Sequence, residues 1–587
     1  MTDHNSNPRT TATTESTGPN ITAPPRTFTR RALLTGAGAG LAGLALAACS
    51  GPNARTTPSG PTPNGPSPSG SARTAPAGQD LAAAIRQREA QRPHTGRTRS
   101  YTLRPQTTEV DLGGPTVRTL AYGDTIPGQL IRADVGDELA VTVHNALEQA
   151  TSVHWHGIAL RNDMDGAAPA TPDIASGDAF TYRFSVPDPG TYWAHPHTGI
   201  AITDYGLYLP IIIDDPKEPA GYDTEWIVVL DDWTDGVGPA PQQILDKLEA
   251  GGMSGMSSMS GMLSMPGMSG MGGMDHGGMP GMESMGSSVP TSSSAGMSST
   301  AGATGMGGMS GMGGAGSSEL LGGDAGDVSY PYYLINGRIP AAPTTFAAKP
   351  GQRIRIRIIN AGADTAFRVA LAGHRLTVTH TDGYPVQPRQ VDALLLGMGE
   401  RYDVIVTAES GVFPLVALAE GKNGAARALL RTAPGGAPDP SARPGELNGQ
   451  VGTVATFTAT DQVALSSRRP DLQLAAKLGG DMKTYRWTIN GRTFDQLEPL
   501  SITQGQRARL TFTNNTMMWH PMHLHGHTFQ IVGSDGQPGP RKDTVIVLPM
   551  KSVAVDLQAD NPGDWMLHCH NGYHMDAGMM TRLDYQI

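Results

Sequence analysis

The sequence predicts an all-β protein built from three related sandwich domains. A chain of 587 residues is too long for one hydrophobic core. With 75 Gly and 46 Pro against only 16 % charged residues, it favours short strands between turns. Most tellingly, one unit recurs. Gly136–Asn145 (GDELAVTVHN), Gly351–Asn360 (GQRIRIRIIN) and Gly505–Asn514 (GQRARLTFTN) share a leading Gly, a polar pair, alternating strand residues and a closing Asn. Each follows another glycine (Gly123, Gly337, Gly491) by 13 or 14 residues. Three copies of one strand–turn unit mean three domains, assigned to residues 98–216, 217–440 and 441–587.

The N-terminal residues 1–49 read as a targeting segment. Arg30 and Arg31 precede a weakly apolar run from Ala32 to Ala48, the pattern of twin-arginine export. Leu46, Ala47, Ala48 and Cys49 resemble a lipobox, implying cleavage before Cys49 and a lipid anchor on its sulfur. The run is too short and glycine-rich for a membrane span. The expected location is the outer face of the cytoplasmic membrane, held only through Cys49. Residues 50–97 are a linker, disordered where Pro, Ser, Gly and Thr dominate, with a short helix expected over 80–92. The formal net charge of −10 argues against a nucleic-acid partner.

The first and third domains carry the chemistry. Near the C-terminus Trp565–Met580 reads WMLHCHNGYHMDAGMM, with Cys569, His574 and Met579 inside it. Two imidazoles, a thiolate and a weak thioether make a blue-copper donor set, and His520 supplies the missing imidazole. On a strand, side chains alternate faces. Cys569 then points one way while His568 and His570 point the other, so one peptide touches two metal sites. Three more His-x-His pairs follow the same pattern: His154 and His156, His195 and His197, His523 and His525. Four pairs give eight imidazoles, enough for a cluster of several metals. Closed zinc sites want few ligands rich in Cys, not ten His around one Cys.

On these four segments, in order and spacing, the chain resembles the multicopper oxidases, a family that includes laccases and bacterial copper-resistance oxidases. The resemblance implies cupredoxin-like Greek-key sandwiches. It implies four copper ions: a type 1 copper on His520, Cys569, His574 and Met579, a type 2 copper on His154 and His523, and a type 3 pair on His156, His195, His197, His525, His568 and His570. Asp165 matches an acid that the family places near the cluster for proton supply. Met518 matches a methionine that cuprous oxidases use to dock Cu(I), with Thr516 standing where that family has an acid and Met517 as an added thioether. Many bacterial members carry Glu directly after the blue-site histidine. Here that position is Met575, followed by Asp576, so Asp576 or another water route delivers protons.

The second domain spaces the other two and holds no obvious ligand set, His374 and His380 reading as ordinary strand or loop residues. It contains a Met-rich insert, about 236–328, in which Met recurs every third position from Met253 to Met274. Gly and Ser spacers cannot build a core, so disorder is expected. Thioethers are soft ligands selective for Cu(I), and Asp275 and His276 add harder donors. The implied activity is one-electron oxidation of Cu(I) or phenolic substrates coupled to four-electron reduction of O₂ to water, in copper tolerance. A Cu(I)-buffering protein with secondary laccase activity is the rival. A copper nitrite reductase ranks last, needing no His568-Cys569-His570 bridge.

Overall fold

The computed structural model describes residues 77–218, 221–251, 316–533 and 536–587. Arg30, Arg31, Cys49 and the methionines from Met253 to Met312 lie outside the described residues.

The three repeat units become three equivalent strands, Glu138–His144, Arg353–Asn360 and Arg507–Asn514. Each is central to its sheet, paired in parallel with the first strand of its domain. The registers are Thr98↔Glu138, Thr224↔Ile354 and Leu472↔Ala508. The opposing sheets repeat as well, with parallel closures Ile131↔Ile211, Thr345↔Leu429 and Leu500↔Leu583. Each domain is thus two packed sheets whose strands cross between layers.

The closing asparagines explain why the repeat is written as it is. Asn145 donates to the carbonyls of Gln149 and Ile174, Asn360 to those of Thr365 and Leu396, and Asn514 to those of Met518 and Val547. Each also accepts a backbone N–H two residues on. One side chain pins the loop leaving the strand in all three domains, and in the first and third that loop leads to metal ligands.

Helix α1 (Ala77–Ala90) covers most of the helix expected over 80–92. It is a built part of the fold rather than linker. Arg92 donates to Asn561 of the third domain at 2.8 Å, and Glu89 accepts the Ser185 N–H of the first at 2.9 Å. Helix α2 (Ile200–Thr203) follows the second His-x-His pair. The insert is narrower than its composition suggested. Helix α3 (Pro241–Gly251) buries Ile244, Leu245 and Leu248 in the second-domain core, and Leu321, Ala325 and Val328 are buried on the far side. These stretches carry clustered aliphatic residues that pack into the core.

An apolar layer joins the first two domains, where Trp193 and Tyr208 pack with Val229, Trp233, Leu334 and Ile359. The cores of the second and third domains merge.

Candidate metal centres

The strand Asp564–Cys569 delivers the predicted alternation. Its neighbour His520–Leu524 runs antiparallel, with Met522 opposite Cys569 and His523 opposite His568. Cys569 therefore faces one group of ligands, while His568 and His570 face two others. Helix α4 (Gly572–Asp576) then turns the chain back; Asn571 caps it by accepting from Tyr573 and His574, which places His574 beside Cys569.

In the first group, His520 Nδ1 and His574 Nδ1 lie 3.1 Å apart, each 3.7 Å from Cys569 Sγ. Met579 is fully buried, its N–H on the His574 carbonyl at 2.9 Å and its carbonyl accepting from Cys569 at 3.0 Å. The outer nitrogens are held too: Thr516 Oγ1 lies 2.8 Å from His520 Nε2, and Asp327 Oδ2 lies 2.9 Å from His574 Nε2. Tyr485 donates to the same Asp327 oxygen at 2.5 Å, and the Trp487 ring sits 4.3 Å from that of His574. Burial opposes a charge on His574, but Asp327 and Cys569 raise its pKa to about 10, so a metal binding there displaces a proton.

The other eight imidazoles gather between the first and third domains. In six of them, one nitrogen is occupied by an outer partner, which identifies the nitrogen left for metal. His154 Nδ1 meets the Asp165 carbonyl, His195 Nδ1 that of Pro196 and His523 Nδ1 that of Asp543. The three opposite Nε2 atoms are buried with no hydrogen-bond partner. His525 Nδ1 lies 2.8 Å from Asp165 Oδ2, and His568 Nδ1 2.9 Å from the Cys569 carbonyl. Their Nε2 atoms approach each other at 3.0 Å, with His197 Nε2 3.3 Å from that of His568. His156 is turned over: its Nε2 lies 3.1 Å from Asp543 Oδ1, and its Nδ1 meets His570 Nε2 at 3.2 Å.

Unprotonated nitrogens do not gather this closely for their own sake. Orphaned buried nitrogens call for an explanation, and convergent imidazoles beside a thiolate fit copper by donor chemistry. Burial pushes the pKa values of His156, His195, His525, His568 and His570 well down, and that of His197 to about 3. These rings are neutral at physiological pH, the form that binds metal.

Two carboxylates organise the outer shell. Asp165 bridges domains, reaching His525 and lying 3.3 Å from His154 Nδ1. Burial alone would raise the pKa of Asp543, but Arg401 reverses this and holds it well below the usual range. Arg401 makes two bonds of 2.7 Å to that carboxylate and reaches the Thr191 carbonyl at 3.0 Å. The glycine closing the VHWHG motif makes room for the pair: a Cβ on Gly157 (φ +87°) would sit 2.3 Å from Arg401 Nη2.

The other expected residues fall as follows. Met518 is buried, whereas Met517 is 65 % exposed. Asp576 lies on the outside and accepts the Ile200 N–H at 3.0 Å, anchoring the start of α2. His374 accepts from Glu409 N–H and meets the Ala372 carbonyl, and His380 meets Thr379 and Arg355, so both have structural partners. Sequence reasoning missed Asp327, Asp543 and Arg401. None has a motif, since each reaches the site from a distant strand or loop.

The folded ligand groups and the three sandwiches place the chain by class. Multicopper oxidase family models match residues 105–218, 315–435 and 467–586. The chain is 55 % identical over 561 residues to the multicopper oxidase MmcO of Mycobacterium tuberculosis (strain ATCC 25618 / H37Rv), covering 95 % of this chain and 97 % of that one. It is 28 % identical to copper resistance protein A of Escherichia coli, over 81 % of this chain and 91 % of that protein. Among solved structures, a mutant laccase from B. aclada matches with TM-score 0.63 at 24 % identity, over 84 % of this chain and 89 % of that one. Fet3p, a multicopper oxidase that functions in iron import, matches with TM-score 0.63 at 17 % identity, over 83 % and 90 % of the two chains. At those identities the structures attest to the fold. The chain belongs to the multicopper oxidases, enzymes that carry type 1, type 2 and type 3 copper and use O₂.

Proposed function

We propose that this oxidase takes electrons from Cu(I), and from phenols as accompanying substrates, and serves copper tolerance outside the cytoplasm. The observation that carries the oxidase reading is the placement of Cys569 against His520 and His574 while its two neighbours join two further imidazole groups. Copper at these sites supplies one-electron acceptance at the thiolate and multi-electron delivery to O₂ at the imidazole cluster. The chain does the rest. The His568 and His570 peptides join the two sites covalently, and the His568 Nδ1–Cys569 carbonyl contact adds a second link. Asp327 and Thr516 hold the blue-site rings so that both Nδ1 atoms face the sulfur.

Cu(I) is favoured by what lies beside His520. Met517 and Met550 are 65 % and 61 % exposed, and the Met550 N–H bonds the Thr516 carbonyl at 3.3 Å. Two exposed thioethers on adjoining loops suit a soft cation. The chain re-entering from the Met-rich insert reaches the same rim, where Leu321 packs with Trp519. The resemblance to copper resistance protein A points the same way. The Arg30-Arg31 pair and Cys49 support export by the twin-arginine route and a lipid anchor. Among the described residues no helix is long and apolar enough to cross a membrane.

The test is O₂ uptake by copper-loaded protein given Cu(I), with Cys569→Ser as control. Uptake by wild type and none by the variant is expected. Equal uptake by both, with Cu(I) still taken up, would leave a Cu(I) buffer; deleting residues 250–315 would then remove most of the Cu(I) capacity.

A further inference from the structure

Reducing one O₂ to two waters consumes four protons as well as four electrons, so the buried imidazole cluster needs a proton source. Two of the acids nearest the ligands, Asp543 and Asp576, are already engaged. Asp543 is committed to Arg401 and His156, whereas Asp165 holds His525 through Oδ2 and keeps a buried Oδ1 beside His154. Asp576 is exposed and spent on the start of α2. Met575, which lines the same cavity as His568 and His570, has no ionisable proton.

What does open onto the cluster is a narrow cavity lined by His195, His568, His570, Met575, Thr203 and Tyr208. It offers about 20 Å³ to the centres of water molecules, room for roughly one or two. The Tyr208 hydroxyl at its wall is buried, and the side chain it faces is that of Asp231. Behind it stands Asp231, on the strand Thr224–Trp233. Alternation turns this residue with Val229 and Trp233 into the apolar layer between the first two domains, on the side of Tyr208. Asp231 is 3 % exposed, and its carboxyl group faces the Tyr208 hydroxyl. An acid in an apolar layer, facing a buried tyrosine hydroxyl beside a water-sized cavity, is a costly arrangement to keep without a use.

Building on the oxidase reading, we propose that Asp231 and Tyr208 form a proton relay to the oxygen-reducing site, alongside Asp165. Asp231 holds a proton as a neutral carboxylic acid. Its O–H passes that proton through the Tyr208 hydroxyl to water in the cavity, and that water gives one of its own protons to the oxygen being reduced. The carboxylate left behind is reprotonated from solvent, so the relay is restored after each transfer. Burial, with the carboxylates of Asp232 and Asp204 close by, favours the neutral acid, and Tyr208 is the hydrogen-bonding group facing it.

The experiment compares Asp231→Asn and Tyr208→Phe with wild type in the copper-loaded full chain, and takes infrared spectra of the copper-free chain. Asparagine keeps the shape but carries no transferable acid proton. Expected are a fall of about 100-fold in turnover with O₂ for Asp231→Asn, a larger solvent-deuterium effect, and unchanged anaerobic reduction of the blue site by substrate. Tyr208→Phe should fall in the same direction. In the copper-free chain at neutral pH, a carboxylic-acid carbonyl band should be present and be lost in Asp231→Asn alone. Wild-type turnover in Asp231→Asn, or an infrared spectrum unchanged by that substitution, would overturn the relay. Wild type that consumes no O₂ at all would instead overturn the oxidase reading.

Discussion

The strand pair that carries metal ligands in the first domain, His154–His156 beside Gly190–His195, recurs in the third as His520–Leu524 beside Asp564–Cys569. It recurs in the second as Phe367–Leu371 beside Val412–Ala419. The backbone is the same unit each time, yet its occupants differ. His154 faces His195 and His523 faces His568, while the second domain has Phe367 opposite Ala419, both fully buried. One sandwich serves equally as a ligand frame or as plain core. The first and third domains give up apolar packing at their shared face and depend on metal to satisfy the exchanged nitrogens. The second gives up nothing and can act as a rigid spacer.

The sharpest test of that contrast pairs Cys569→Ser with Phe367→Ala. The first should abolish the thiolate-to-copper absorption and bring O₂ uptake to background. The second should lower unfolding free energy by about 3–5 kcal/mol through an unfilled cavity while leaving four coppers per chain by metal analysis. Selective copper loss in Phe367→Ala would break the comparison.

Arg401→Met should come next in size. It leaves Asp543 buried without its cation, a change worth about 3–5 kcal/mol, and denaturant melts of the loaded protein should show it. Because Arg401 belongs to the second domain, an effect on copper retention would show that the spacer also tunes the cluster. Asp165→Asn is a purer perturbation of ligand orientation, and should weaken copper binding or activity by about 10–100-fold with little change in the fold.

The joint between the first two domains has a pH signature of its own. Burial alone would raise the Asp403 pKa, but Arg355 and Arg357 outweigh it and lower it to about 2. A depressed carboxyl contributes stability fully present above its unfolded pKa near 3.9 and lost as pH falls through about 2, roughly 2 kcal/mol here. Acid titration of copper-free protein should show this limb, and Asp403→Asn should flatten it. The smallest effect belongs to Thr516→Val, which removes the contact to His520 Nε2. About 1 kcal/mol and a change of a few-fold in turnover with Cu(I) are expected; complete loss would mean the hydroxyl does more than orient the ring.

Local pattern made much of this molecule legible from its sequence. The thrice-written strand unit, the four His-x-His pairs and the alternation around Cys569 all follow from a side-chain period of two, and the family resemblance sorts the same ligands into type 1, type 2 and type 3 sites. The groups that finish the site were not legible. Asp327, Asp543 and Arg401 carry no motif, because an outer hydrogen-bond partner needs only the right atom at the right place, which any distant loop can supply. The folded ends of the Met-rich insert were hidden for the opposite reason, since a strong compositional signal masked a few aliphatic residues that pack. Which nitrogen of each ring faces the metal, where Asp576 ends up, and that Asp231 stands behind a cavity at the cluster were decided only in three dimensions. These depend on which strands meet, and strand meeting is a property of the whole packed chain.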